Sequence, residues 1–193
     1  MRRKTREINY QTLGRISEII SSVKDMGDAA RHIVQSLSEI LSLKGCALLL
    51  LNRRSGKLEV ASSYGLSQAY LNKGPLSAAR SIAESLSEGP VVVYKVEDDP
   101  RLQYPEAAQA EGIRSLVSVP LILRGKPLGV LRLYSAEPWE VGNPELTFLQ
   151  AIAEIIALAL DNIRISNAYK NSIEVLKVLR PVMVPRAKRT LHE

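Results

Sequence analysis

One cysteine, two histidines, one tryptophan and one phenylalanine in 193 residues remove whole classes of chemistry at the outset. Cys46 alone cannot close an intramolecular disulfide, which suits a reducing compartment. His32 and His192 stand far apart in the chain, and no metal-ligand spacing, Ser/His/Asp set or glycine-rich phosphate loop accompanies them. Three consecutive acids, Glu97-Asp98-Asp99, precede Pro100 and read as a solvated turn, with Asp99 capping the residues after it, rather than as a metal site. Long apolar runs are missing too. The longest, Cys46-Ala47-Leu48-Leu49-Leu50-Leu51, falls far short of the ~18 residues that cross a bilayer. The basic start Met1-Arg2-Arg3-Lys4-Thr5-Arg6 is followed at Glu7 to Gln11 by no apolar stretch, so it does not read as a secretory signal. The expectation is a cytoplasmic chain with no membrane partner, no metal and no catalytic constellation.

What is present is ordinary in amount: 46% hydrophobic and 24% charged residues, enough for one core of about 100 to 200 residues with some helical extension. The formal charge is +6, but the excess sits at the ends, in Arg2, Arg3, Lys4 and Arg6 and in Arg180, Arg186, Lys188 and Arg189 against Glu193. The body between is close to neutral. Basic ends can touch nucleic acid, yet apart from Tyr10 no aromatic residue is interleaved with them to stack on bases. Solvated tails are expected, and nucleic acid is not the expected partner.

Leu13, Ile16, Ile20 and Val23 recur at helical spacing over about 6–24, a seam suited to a partner helix. Asp28 is placed to cap a second helix over about 28–43, with Ala30, Ile33, Val34, Leu37, Ile40 and Leu41 on its apolar face and Gly45 as its stop. Cys46 to Leu51 has no polar residue to mark a wet side and reads as a strand covered on both faces. Lys57 to Tyr64 is its antiparallel return, followed by a helix over about 76–87, a strand Val91 to Val96 and a small helix near 105–111. Asn143-Pro144 starts a last helix, Asn as cap and Pro at the first helical position, in which Leu149, Ile152, Ala153, Ile156, Ala159, Leu160 and Ile163 repeat at helical spacing. It runs on to Pro181, some 54 Å at ~1.5 Å per residue, so its end is expected to project and pair with a partner chain. The segments are then 1–26, a helix with a basic start; 27–166, the domain; and 167–193, a helical extension and basic tail.

Residues 112–135 form a hairpin around Arg124-Gly125-Lys126-Pro127. A two-residue loop at Gly125-Lys126 or a four-residue loop at 124–127 pairs Val119 with Arg132 and Val117 with Tyr134, on the side of Leu121 and Val130. Leu116, Ser118, Leu131 and Leu133 take the other side.

With this order of elements, the run Gly112-Ile113-Arg114-Ser115-Leu116-Val117-Ser118-Val119-Pro120-Leu121, then Gly125, then Leu128-Gly129-Val130-Leu131-Arg132-Leu133, resembles a GAF domain. Tyr64-Gly65-Leu66-Ser67 and Asp99-Pro100-Arg101 are similar to residues that such domains carry at those places. The resemblance covers roughly residues 27–166. It implies an α+β fold: a GAF/PAS-like central antiparallel sheet of five to six strands, terminal helices on one face, and helices and loops enclosing a pocket on the other. It also implies a sensory or regulatory module, commonly a homodimer through its terminal helices, here through Leu13, Ile16, Ile20, Val23, Ile152, Ile156, Leu160 and Ile163. With no effector domain in 167–193, the output is expected to pass to a partner protein such as a kinase or transcription regulator.

The resemblance also brings chemistries to test. Bilin attachment needs a cysteine that Cys46, opening a buried strand, does not supply. Haem needs an axial ligand that neither His32 nor His192 is placed to be, and the family's free-methionine-sulfoxide reductases need several cysteines. No enzyme, haem, bilin or metal is therefore expected, and the ligand stays an unnamed small organic molecule. Pocket candidates are Tyr64, Tyr94, Arg101, Tyr104, Ser115, Arg132 and Tyr134. Arg132 is the most informative of them. A guanidinium among apolar strand residues must reach solvent, pair with an acid on a terminal helix, or meet an anionic ligand. The rival expectation is a ligand-free dimerisation scaffold whose pocket is filled by its own side chains.

Overall fold

The computed structural model describes residues 10–22, 25–77 and 89–179. Helix α1 (Tyr10–Ser22) and helix α2 (Met26–Ile40) lead into β1 (Gly45–Asn52) and β2 (Lys57–Tyr64). A four-residue helix α3 (Gln68–Leu71), the short strands β3 (Leu76–Ser77) and β4 (Val91–Val93), and helix α4 (Pro105–Ala110) follow. The hairpin β5 (Ser115–Leu123) and β6 (Lys126–Ser135) and the long helix α5 (Asn143–Leu179) complete the chain. The strands make one antiparallel sheet in the order β3-β2-β1-β6-β5-β4, an α+β architecture.

Local chemistry sets the helix ends one turn away from where spacing places them. Asp25, not Asp28, caps α2: its backbone is extended and its carboxylate accepts from the Gly27 and Asp28 amides at 2.8 and 3.2 Å. Asp28 lies in the first turn, where a negative charge suits the helix dipole, and pairs with Arg31. The helix ends at Ile40 with Leu41 as its C-cap, well before Gly45, and Ser42 after it is left-handed at φ 48° with the Leu43 amide donating to the Ser38 carbonyl. That frees Gly45 to open β1. Helix α5 is capped by Gly142, whose carbonyl takes the Leu146 amide, while Glu145 reaches back to the Gly142 N–H at 2.7 Å. Asn143 and Pro144 are therefore inside the helix. The helix expected over 76–87 begins instead with the two residues of β3, and the remainder lies outside the described residues.

The hairpin register differs by one residue from the expected pairing. Arg124 and Gly125 both adopt positive φ, 50° and 71°, so they form the two-residue turn whose twist matches the strands. Leu123 then pairs with Lys126, a bulge follows at Leu121/Ile122, and from there Val119 pairs with Leu131 and Ser118 with Arg132. Arg132, opposite Ala47 on its other side, stands with Leu116, Val130 and Tyr134 and not with Val119 and Leu121. Gly129 has its own reason to be glycine. A Cβ there would lie 2.0 Å from the Leu49 carbonyl oxygen, so β6 crosses β1 where only a bare backbone fits.

Two hydrophobic cores result, one on each face. Between the sheet and helices α1, α2 and α5 lie Ile16, Ile33, Leu37, Cys46, Leu48, Val119, Leu131, Leu133, Ile152 and Ile156, all fully buried. At ~1.5–3 kcal/mol for each such aliphatic side chain, this face carries much of the stability. The opposite face gathers Ala47, Leu49, Leu58, Tyr70, Leu76, Leu116, Val130 and Tyr134. By length and composition α5 is apolar enough to cross a bilayer, but its apolar stripe faces the sheet here. Ile16, Ile152, Ile156 and Leu160, assigned from spacing to a dimer seam, are buried within the chain itself. Leu13 is packed against the same core and Ile163 is half-buried, whereas the Ile20 side chain and Val23 lie outside the described residues. The exposed apolar residues of α5 are others: Leu158, Ile165, Tyr169, Val175 and Leu176.

Candidate functional site

The face of the sheet away from the terminal helices holds a cavity of about 210 Å³. Ala47 and Leu49 of β1 and Tyr134 of β6 form its floor, Leu58 of β2 and Leu76 of β3 one wall, and Lys73 after α3 its rim. Ser67 builds that rim. Its hydroxyl accepts from the Tyr70 amide as the cap of α3, and its amide donates to Glu111, which also receives the Ser67 hydroxyl and Lys44 at 3.5 Å. Burial pushes the Glu111 carboxyl up, but these donors outweigh it and hold the group below the usual carboxylate range. The rim is thus tied to the loop after α4.

Tyr70 packs edge-on against Tyr134, ring centroids 5.7 Å apart. Lys73 sits 3.6 Å over the Tyr70 ring and donates to the Tyr70 carbonyl at 2.9 Å. Desolvation, with the Arg132 guanidinium adding repulsion and Glu111 opposing it, brings the Lys73 ammonium down to about 8. Burial raises the Tyr134 hydroxyl, while Arg132 and the Tyr70 hydroxyl pull it back. Arg132 itself has a buried Nε with no hydrogen-bond partner among the described residues. Lys73 and Tyr134 thus line the cavity together with Glu59, and Tyr70 and Arg132 stand directly behind them.

Of the residues singled out from the sequence, Tyr134 lines this cavity and Arg132 stands beside it on the same face of β6. Arg101 is engaged elsewhere: its guanidinium binds Asp99 at 2.8 Å and the Val92 carbonyl at 3.0 Å, pinning the acidic loop to β4. Those donors hold the Asp99 carboxyl low. Tyr104 donates to the Pro75 carbonyl at 3.0 Å, in space that Gly74 leaves open. Ser115 donates to the Glu137 carbonyl at 2.7 Å and is buried. Tyr64 and Tyr94 are exposed, Tyr94 beside an open cleft with Lys95, Trp139 and Glu140. Tyr70 and Lys73 carry no sequence signature of their own because α3 is a single turn without periodicity; the available signal is Ser67, a capping residue three before Tyr70. Cys46 faces the terminal helices, fully buried, its thiol driven far above the ordinary range by burial.

A family model for the GAF domain matches residues 25–160. The formate hydrogenlyase transcriptional activator of Salmonella typhimurium is 23% identical over 161 residues, 80% of this chain. The chain spans only about a quarter of that relative, 23% of its length. Among solved structures, the GAF domain of a phosphoenolpyruvate-protein phosphotransferase from Coxiella burnetii superposes with a TM-score of 0.71 at 20% identity, covering 82% of this chain and 95% of that one. The free methionine-R-sulfoxide reductase of Neisseria meningitidis, solved with its substrate, gives 0.69 at 21% identity over 80% of this chain and 89% of that one.

Proposed function

The chain belongs to the GAF domain family, and from that premise we propose that it is a sensor whose cavity takes a small organic ligand and whose long helix passes the ligand's presence to an effector protein. The observation that carries this reading is the cavity. Although Tyr70 packs on Tyr134, about 210 Å³ stays open beside them with Lys73 at its rim, which favours a ligand over a scaffold closed on its own side chains. That volume is below the ~300–1,000 Å³ of drug-sized sites, so the ligand is small.

Strand β6 supplies the coupling. Val130 and Tyr134 belong to the cavity core, while Leu131 and Leu133 between them pack among Ile152 and Ile156 of α5. Because close-packed cores transmit small shifts, a ligand that favours one seating of β6 favours one seating of α5. The exposed residues Leu158, Ile165, Tyr169 and Leu176 lie seven, four and seven apart, a heptad-like seam for a second copy of the chain. Asn162 falls in the same seam, where a polar residue selects register. The effector is a transcription regulator or kinase, the former class suggested by the Salmonella relative. In this reading the protein is cytoplasmic and non-enzymatic, with no haem, bilin or metal, and the only thiol lies on the wrong face for chemistry in the cavity.

Native mass spectrometry of freshly purified protein, compared with its denatured mass, tests both parts. The expected result is a dimer carrying a small adduct that denaturation removes, and a monomer for Ile165→Asp with an unchanged melting temperature. A protein without adduct, whose melting temperature no small-metabolite panel raises, overturns the sensor reading.

A further inference from the structure

Beside the cavity stand two cations, and one of them keeps a buried donor unused. Arg132 leaves the strand floor between Ala47 and Ser118, neither of which bears charge, and its Nε is buried and unpartnered among the described residues. Lys73 approaches the same space from the rim. The nearby acids bond to other donors: Glu59, on the cavity wall, accepts from the Asn52 side-chain amide at 2.7 Å, and Glu111, which partly offsets the charge felt by Lys73, is held by Ser67 and Lys44. Tyr70 and Tyr134, the remaining titratable neighbours, are neutral phenols raised by burial. Lys73 and Arg132 repel each other, and a buried donor left without a partner is costly. A bound anion cancels both terms at once.

We infer that the ligand of this cavity is a small oxyanion, a carboxylate or a phosphate, held between the Arg132 guanidinium and the Lys73 ammonium. The planar guanidinium offers paired N–H donors matched to either group, and the ammonium adds a point charge from the opposite side. The apolar walls of Leu49, Leu58 and Leu76 leave room for a short hydrocarbon body and none for a large one. This inference rests on the sensor reading. It adds a pH dependence: because Lys73 loses its proton above about 8, affinity for the anion is level below that pH and falls up to tenfold per unit above it.

The full chain is titrated with succinate, acetate and inorganic phosphate, with acetamide as a neutral control and sodium chloride at matched ionic strength, by calorimetry and thermal shift. One of the anions is expected to raise the melting temperature where acetamide and chloride do not, and which one does so separates carboxylate from phosphate. Arg132→Gln and Lys73→Gln are each expected to weaken that anion about tenfold or more, with circular dichroism confirming the fold. Should Arg132→Gln fail to fold, Lys73→Gln and the pH profile decide. Anions acting no better than chloride, or a flat profile from pH 7 to 10, overturn the inference. If a native adduct nevertheless survives in both variants, the sensor reading stands and only the oxyanion is wrong; if no adduct and no shift appear at all, both fall.

Discussion

The two faces of the sheet are made from the same strands and have been put to opposite uses. On the helix side, Cys46, Leu48, Val117, Val119, Leu131 and Leu133 meet three helices, and among the described residues no buried side-chain polar atom on that side lacks a partner. On the other side stand the alternate residues, Ala47, Ser118, Val130, Arg132 and Tyr134, of which Ala47 and Tyr134 line a cavity with Lys73 at its edge. One face is closed and holds the fold together; the other keeps an open cavity and a buried donor without a partner. A period of two along a strand is enough to separate a closed core from an open one within single residues of each other.

The contrast can be broken most severely from the closed side. Ile156→Asp places a carboxylate where no donor waits and removes a fully buried side chain; the expected loss is about 5 kcal/mol or more, seen as the absence of a cooperative thermal transition. Gly129→Ala drives a methyl into the Leu49 carbonyl and separates β6 from β1 at the boundary between the faces. A cost of about 3 kcal/mol is expected in urea denaturation, with both cores affected. The open side should respond with the opposite sign. Arg132→Met removes an unpartnered donor and fills the space with an apolar chain, so the ligand-free protein should gain about 1 kcal/mol while losing its ligand. Stability against pH sharpens the comparison most finely. The folded Lys73 pKa, about 8, lies below its unfolded value, so between about pH 8 and 10.4 the unfolded chain holds the extra proton and this group makes stability rise with pH. The difference between wild type and Lys73→Met in melting temperature should trace that rise, and a parallel pair of curves would remove Lys73 from the account.

How far these faces could be foreseen varies from element to element. Strand β2 begins and ends at Lys57 and Tyr64, where alternation and turn residues place it, and Cys46 to Leu49 is buried on both sides because no polar residue interrupts it. Arg132 and Tyr134 stand out as polar groups inside an apolar strand. The side on which they stand does not, because it depends on Arg124, a non-glycine residue taking positive φ, and on one bulged residue. A one-residue slip turns every side chain over. The apolar stripe that α5 leaves exposed differs from the expected one for a related reason. Ile152 and Ile156 repeat as regularly as any interface stripe, and periodicity marks a buried face without saying whether the chain itself or a partner buries it.

The sequence by itself determined the family, the α+β layering and the order of elements, because apolar periodicity and turn residues act over a few neighbouring positions. Only the tertiary structure decided which apolar stripe of α5 is left over, and that Lys73 comes to lie with Arg132. Those two cations are separated by 58 residues along the chain, and no local pattern records a meeting that a single capped turn, a bulge and the crossing at Gly129 together bring about.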